Sequence, residues 1–161
     1  MKNKTILSLM AIFLVLGSAA FAYAQEVNYD GFDLQFADDD FKVNQTNNTS
    51  VVLRNGGEQI IITSEITGND SVNSFLSAQG FNFTQSTHVE TKVSSTQSGS
   101  FEYELNEYAK DKGAASAFFL NKNDKNYTVI VMDNDVDADD DFDTSDAMDV
   151  AKDIVKSIML A

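Results

Sequence analysis

The sequence predicts an α+β domain, with an antiparallel β-sheet packed by a mid-chain helix and a C-terminal helix. Most of the chain after residue 24 consists of short runs in which apolar and polar residues alternate, the period of a half-buried strand. Two segments, one near residue 72 and one at the C-terminal end, instead carry apolar residues at helical spacing. Since a helix with one apolar face needs another layer to pack against, this order of elements favours a sheet covered by helices.

The first strands are predicted from alternating apolar residues interrupted by turn residues. Asn55-Gly56-Gly57 is the strongest hairpin signal, because Asn and Gly tolerate the positive φ angles of a tight turn. Another turn is predicted at residues 38–40. The predicted strand residues around these turns are Phe32, Leu34, Phe36, Phe41, Val43, residues 51–53 and residues 59–63.

A short helix is predicted after these strands. Either Asp70 or Ser71 is available as its N-cap, and Gly80 is a typical C-terminal stop. The apolar residues that share one face of this helix are Val72, Phe75 and Leu76.

Strand signals then resume and lead to the C-terminal helix. A turn at residues 121–125 separates two apolar strands, and Phe118 and Phe119 in the first are predicted to be buried rather than to form an exposed aromatic site. The strand residues of this half are Val89, Val93, Phe101, Tyr103, Leu105, residues 114–120 and residues 127–132. The apolar face of the C-terminal helix is Ala147, Val150, Ala151, Ile154, Val155 and Ile158.

The N-terminal segment has the pattern of a secretory signal peptide. Lys2 and Lys4 precede an apolar run at residues 6–16, and Ala22-Tyr23-Ala24 fits the small-residue exit of such a leader. We therefore expect residues 1–24 to be removed and residues 25–161 to form one secreted or cell-surface domain, with cleavage two residues earlier as the next choice. A retained membrane anchor is the alternative, since residues 6–24 approach the length of a short span.

The composition limits the classes of partner. The chain has no cysteine, so neither disulfides nor thiolate metal sites are available. Loss of the leader removes two basic residues and no acidic residue, which changes the formal charge from −14 to −16. Such a charge disfavours nucleic acid and anionic membranes and favours cationic partners and divalent cations. Halophilic adaptation is a rival explanation of the charge.

Two parts of the chain resemble the PsbP-like α/β/α sandwich family. One is residues 29–36, which read as an opening strand, and the other is the succession of a final strand at residues 127–131 and a helix at residues 154–158. The resemblance covers most of residues 27–160 as an order of elements. It implies a small, non-catalytic exported domain.

The residues that would carry catalysis are sparse. The chain has one histidine, His88, which is predicted to be an exposed strand residue, so a Ser-His-Asp triad or a zinc centre would have to be built on it. There is no GxSxG, phosphate-binding glycine loop or dinucleotide fingerprint. Among 25 acidic residues, a carboxylate pair at hydrolase spacing is expected by chance, so such a pair carries little information.

An Asp-rich loop between the last strand and the C-terminal helix predicts a calcium site. A twelve-residue frame that begins at Asp135 places carboxylates at the alternating positions typical of an EF-hand-like loop, although position 6 is Asp140 rather than glycine. The alternative is a solvated acidic linker whose last members favour the helix N-terminus through its dipole. The candidate ligands are Asp135, Asp137, Asp139, Asp141, Asp143 and Asp146.

Glycosylation motifs of the form Asn-x-Ser/Thr are frequent. They begin at six of the 13 asparagines after residue 24, which predicts an exported glycoprotein, with compositional accident as the alternative. We expect residues 44–50 to lie in a loop. The candidate sites are Asn44, Asn47, Asn48, Asn69, Asn82 and Asn126.

These patterns together predict a secreted or surface-associated, non-catalytic domain that binds an unknown protein, glycan or small ligand, with calcium as the candidate cofactor. Two alternatives remain, an exported hydrolase that uses a carboxylate pair and a structural cell-envelope glycoprotein.

Overall fold

The computed structural model describes residues 25–38, 40–93, 98–136, 142 and 145–161. Within these ranges the chain forms nine strands and two helices. In chain order they are β1 (Gln25–Tyr29), β2 (Phe32–Phe36), β3 (Lys42–Thr46), β4 (Ser50–Asn55), β5 (Glu58–Thr63), α1 (Asn69–Ser77), β6 (Asn82–Lys92), β7 (Ser100–Lys110), β8 (Gly113–Lys122), β9 (Lys125–Asp133) and α2 (Asp146–Leu160).

Strands β3 to β9 form one antiparallel sheet with the order β3-β4-β5-β9-β8-β7-β6, and β1 and β2 form a separate hairpin. Strands β3, β4 and β5 are neighbours in the sheet, and the chain then passes through α1 to β6 at the opposite edge. It then returns by hairpins until β9 pairs with β5, with Ile61 opposite Ile130. The α+β class that the sequence predicts is therefore confirmed.

The centre of the sheet is covered on both faces. Hairpin β1–β2 and helix α2 pack on one face, which we call the α2 face, against residues such as Ile60 and Phe118. Helix α1 packs on the other, the α1 face, against Ile61 and Ile130. Because both faces of β5 and β9 are buried, these strands are nearly continuous apolar runs rather than alternating ones.

The strand predicted from the alternation of Phe32, Leu34 and Phe36 is confirmed as β2, but its expected start at Tyr29 is wrong, because the chain turns back on itself before Phe32. Asp30 has φ 50° and Gly31 has φ 83°, which places both in the left-handed region and ends β1 at Tyr29. Glycine adopts this region without steric cost and Asp tolerates it better than most residues. The segment is a two-stranded hairpin whose apolar residues all reach the same core.

The expected cap of the first helix is also wrong. The N-cap is Gly68, with φ 84° and no side-chain hydrogen bond, and Asp70 lies within the first turn. The predicted stop is confirmed, since Gly80 follows the helix with φ 89°. Phe118 is fully buried as expected, whereas Phe119 is only half-buried.

The leader predicted at residues 1–24 lies outside the described residues. Of the helices within the described part of the chain, none is long and apolar enough to span a membrane.

Candidate functional site

The predicted calcium loop connects β9 to α2 at one end of the sheet. Its members Asp137, Asp139, Asp141 and Asp143 lie outside the described residues, so the structure places only the two ends of the loop, at Asp135 and Asp146. Both of these side chains are exposed.

The first end of the loop is held by backbone hydrogen bonds. The amide of Asp135 donates to Asp133 Oδ1 at 2.9 Å, and the amide of Val136 donates to the carbonyl of Lys112 at 3.1 Å. The amide of Asn134 donates to the carbonyl of Gly57 at 3.4 Å, so the loop leaves the sheet beside the β4–β5 turn.

The second end of the loop is the N-terminus of α2. Ser145 is the N-cap, and its hydroxyl accepts a hydrogen bond from the amide of Met148 at 3.2 Å. The carboxylate of Glu58, on β5, lies near the amide of Ala147, and this interaction lowers the pKa of the carboxyl. One of the amides that a helix leaves without an intrahelical partner is thus satisfied by Ser145, and a carboxylate from a strand 89 residues earlier lies near a second one.

Glu58 lies in a negative electrostatic environment. Burial raises the pKa of its carboxyl above the ordinary value of 4.5, and the nearby charges of Asp133 and Asp146 raise it further. Asp38 contributes in the same direction, whereas the nearby amide of Ala147 lowers the pKa. Sequence reasoning missed Glu58, because nothing in its local pattern indicates that the hairpin and the start of α2 meet.

Both ends of the loop therefore contribute carboxylates to one region, together with Glu58 from the sheet. Like charges at close range favour any counter-ion that neutralises them. Within the part of the chain that the structure describes, no three acidic or histidine side chains converge closely enough to hold a metal ion. The Asp-rich motif stays a prediction that involves residues outside that part.

His88 has an environment that the sequence did not indicate. It is exposed on β6, and its ring nitrogens contact two glutamates of β7, with Nδ1 2.5 Å from Glu104 Oε1 and Nε2 3.1 Å from Glu102 Oε2. These carboxylates, Glu104 most strongly, raise the pKa of the imidazole above 6.5. Since carboxylates contact both nitrogens, the arrangement stabilises an imidazolium and lacks the neutral nitrogen that a general base requires.

Two cavities lie near the start of α1. One has a volume of about 240 Å³ and is lined by Thr67, Gly68 and residues of the β8–β9 hairpin, and the other has about 480 Å³ and is lined by residues 67–71. The second contains the single carboxylate of Asp70, and the first contains none. Neither cavity has the paired carboxylates that the hydrolase alternative requires.

All six predicted glycosylation sites are exposed at the asparagine. The expectation that residues 44–50 form one loop is wrong in part, because Asn44 lies in β3 and only Asn47 and Asn48 lie in the following turn. Asn47 Oδ1 accepts from the amides of Thr49 and Ser50 at 2.9 and 2.8 Å, an arrangement that fixes this turn. The other sites are at the first residue of α1 (Asn69), the first residue of β6 (Asn82) and the second residue of β9 (Asn126).

The site that begins at Asn126 differs from the others in its hydroxyl. Thr128 is fully buried, and its Oγ1 has no hydrogen-bond partner among the described residues. The motif at Asn82 ends instead in the exposed Thr84, whose hydroxyl donates to the carbonyl of Glu107 at 3.0 Å.

No protein-family model matches the chain, and no curated protein is significantly similar to it in sequence.

Proposed function

We propose that this chain is a secreted or surface-associated, non-catalytic binding domain whose Asp-rich loop binds calcium. The observation that supports the calcium site is the position of Glu58, whose pKa is raised first by burial and then by the charges of Asp133 and Asp146 on either side of the loop. The loop itself adds further aspartates between those ends.

A hard divalent cation is the counter-charge that suits this composition. Calcium takes six to eight oxygen ligands in flexible geometry, and carboxylates are its main protein ligands. Extracellular calcium occupies even weak sites, with Kd on the order of 10⁻⁴–10⁻³ M. The site is therefore matched to the exported location that the leader predicts.

Calcium should stabilise the purified protein, because an ion that binds the folded state shifts the unfolding equilibrium. We expect calcium to raise the melting temperature, and the double variant Asp137→Asn/Asp139→Asn to abolish that rise. The control is Asp33→Asn/Asp124→Asn, which removes the same charge from two exposed positions on β2 and in the β8–β9 turn. If excess calcium leaves the melting curve unchanged, the calcium site is refuted and the loop is interpreted as a solvated acidic linker.

A structural cell-envelope glycoprotein is the second proposal, and the exposure of all six candidate asparagines supports it. The intact mass of the native protein tests both the leader and the glycans. We expect a chain that starts at Gln25 and exceeds its bare mass, and a mass equal to the bare chain would remove this proposal. Membership of the PsbP-like family stays a prediction, supported by the layering of helix, sheet and helix.

A further inference from the structure

Strand β6 forms an edge of the sheet. It pairs with β7 on one side, from Asn82 to Lys92, and no strand among the described residues pairs with its other side. It is 11 residues long, and beyond the irregularity between Phe83 and Gln85 its pairing with β7 is regular. A long regular edge presents a row of backbone donors and acceptors that favours pairing with another strand.

The opposite edge is different. Strand β3 has five residues, and its register with β4 shifts between Val43 and Gln45. Shortness and a bulge at the centre of an edge strand discourage further pairing, whereas in β6 the irregularity lies near the first residue and the lysine, Lys92, is the last residue. The two edges of the sheet are therefore unequal, and β6 is the one suited to accept a strand.

A half-buried apolar stripe reaches the β6 edge on the α2 face. The Tyr103 ring lies 5.5 Å from the buried Phe118 ring and 6.3 Å from the Phe101 ring. Helix α2 packs on β2, β5, β8 and β9, so the stripe continues beyond its cover. The half-buried residues of the stripe are Val89, Phe101, Tyr103 and Leu105.

The α1 face of the same two strands is charged. Glu90 lies directly opposite Glu102, while His88 lies opposite Glu104 and contacts both β7 glutamates. Like charges in direct cross-strand positions are destabilising. Glu90 therefore has an unfavourable neighbour on its inner side, and a cation on its outer side would relieve it.

We propose that two copies of this chain pair through their β6 strands, antiparallel, with Val89 opposite Val89 of the second copy. A two-fold axis perpendicular to the sheet relates the copies, so each face of the sheet continues as the same face. In this register Glu90 lies opposite His88 of the second copy, and the symmetry repeats that pair. The remaining pairs are Thr87 with Thr91, Gln85 with Val93 and Ser86 with Lys92.

Both faces support this register. On the α2 face, Val89 of each copy meets its counterpart, with Tyr103 on either side, so the apolar stripe runs across the junction. On the α1 face, the row across the four strands is Glu104, His88, Glu90 and Glu102, which places His88 between carboxylates of both copies.

The two nearest alternative registers lose the pairing of Glu90 with His88. The same-face symmetry allows only shifts that keep side chains on their own face. The nearest such shift in one direction sets Glu90 against Glu90, and the nearest in the other sets His88 against His88. A single strand pair buries less than the ~1,200–2,000 Å² typical of stable interfaces, so we expect a weak dimer that depends on concentration.

The test is sedimentation velocity of the purified protein over a wide concentration range. We expect reversible dimerisation that Glu90→Lys weakens by on the order of tenfold, because two symmetry-related pairs change from attraction to repulsion. The same substitution places a lysine opposite Glu102 within the chain, so the monomer should melt no lower than the wild type. Val89→Lys should also prevent dimerisation, whereas Thr46→Lys on the β3 edge should not.

A charge swap makes the register testable. The variants Glu90→Lys and His88→Glu should each dimerise on the order of tenfold more weakly than the wild type, since their own pairs repel. Mixed together they should form a heterodimer, because the new lysine of one chain meets the new glutamate of the other and His88 of the first meets Glu90 of the second. The proposal is overturned if the protein is a monomer at every concentration or if its dimer is insensitive to Glu90→Lys and Val89→Lys. In that case the β6 edge would be suited to bind an extended segment of another protein. A mixture that stays monomeric would overturn the register.

Discussion

The hydroxyl of Tyr127 donates a 2.6 Å hydrogen bond to Asp30 Oδ2, which links the turn of the β1–β2 hairpin to the start of β9 across 97 residues. Lys125 Nζ donates to the same oxygen at 2.6 Å. The Tyr127 ring also packs edge-on against Phe32, with centroids 5.4 Å apart. One turn residue therefore fastens the small hairpin to the main sheet.

Removing the Asp30 carboxyl should destabilise the protein. Asp30→Ala leaves the buried Tyr127 hydroxyl without this acceptor, and we expect a loss of about 1–3 kcal/mol in the free energy of unfolding by denaturant titration. Asp30→Asn keeps an acceptor and should cost less than about 1 kcal/mol, since the lysine pair is partly exposed. Asp124→Ala is the control, because Asp124 also has a positive φ, 61°, in the neighbouring β8–β9 turn. If Asp30→Ala and Asp124→Ala lower the free energy of unfolding equally, the effect comes from backbone strain alone.

The Asp30 carboxyl should make the free energy of unfolding depend on pH in the acid range. The hydrogen bond from Lys125, and then that from Tyr127, lowers the pKa of Asp30 below its usual 3.8. A lowered folded-state pKa contributes stability that is present above the unfolded value and lost as pH falls through the folded one. The difference between wild type and Asp30→Asn should therefore narrow below pH 3.8. A constant difference throughout the acid range would contradict this.

Glu58 should have the opposite pH dependence. Its raised pKa means that its contribution to stability is present below 4.5 and lost as pH rises through the folded-state value. Glu58→Gln keeps an acceptor for the Ala147 amide and removes the charge, so it should melt higher than wild type at neutral pH and equal to it below pH 4.5. Thermal melts across this range measure the effect, with the exposed Asp111→Asn as control. A lower melting temperature at neutral pH would show that the Glu58 charge stabilises the start of α2.

His88 offers a direct measurement, since it is the only histidine in the chain. We expect its NMR titration, recorded at low protein concentration, to give a pKa above 6.5. Glu104→Gln should lower that pKa more than Glu102→Gln, because Glu104 is the closer partner and the larger cause. Glu107→Gln, on the opposite face of β7, should have little effect. The raised pKa adds stability that is present below 6.5 and lost as pH rises through the folded value. An imidazole that titrates at or below 6.5 would refute the paired geometry.

Glycan occupancy should differ among the six motifs. If glycans are added to the folded chain, we expect Asn126 to be bare, because the hydroxyl of Thr128 is buried and out of reach of an enzyme. Asn82→Gln should reduce the mass of the native protein by one glycan, and Asn126→Gln should leave its glycan mass unchanged. Peptide mapping gives the occupied positions, and a glycan on Asn126 would mean that addition precedes folding.

The fold class followed from local patterns because burial on one or two faces imposes a period on the residues themselves. The apolar runs of β8 and β9, the turn at Gly56 and Gly57 and the apolar face of α2 each report burial or backbone geometry within a few neighbours. The turn at Asp30 and Gly31 was not predicted in this way. Tyr29 and Phe32, on either side of it, are both buried, so the apolar pattern continues across the turn.

What the sequence by itself determined is the fold class and most of the strands and helices, but not the turn at Asp30 and Gly31 or the start of α1. The tertiary structure alone decided that Glu58 meets the start of α2, that His88 lies between Glu102 and Glu104, and that β6 is an edge. Periodicity records how deeply a residue is buried and not which distant residue buries it. Many strand orders satisfy one pattern, and only the packing of the whole chain selects among them.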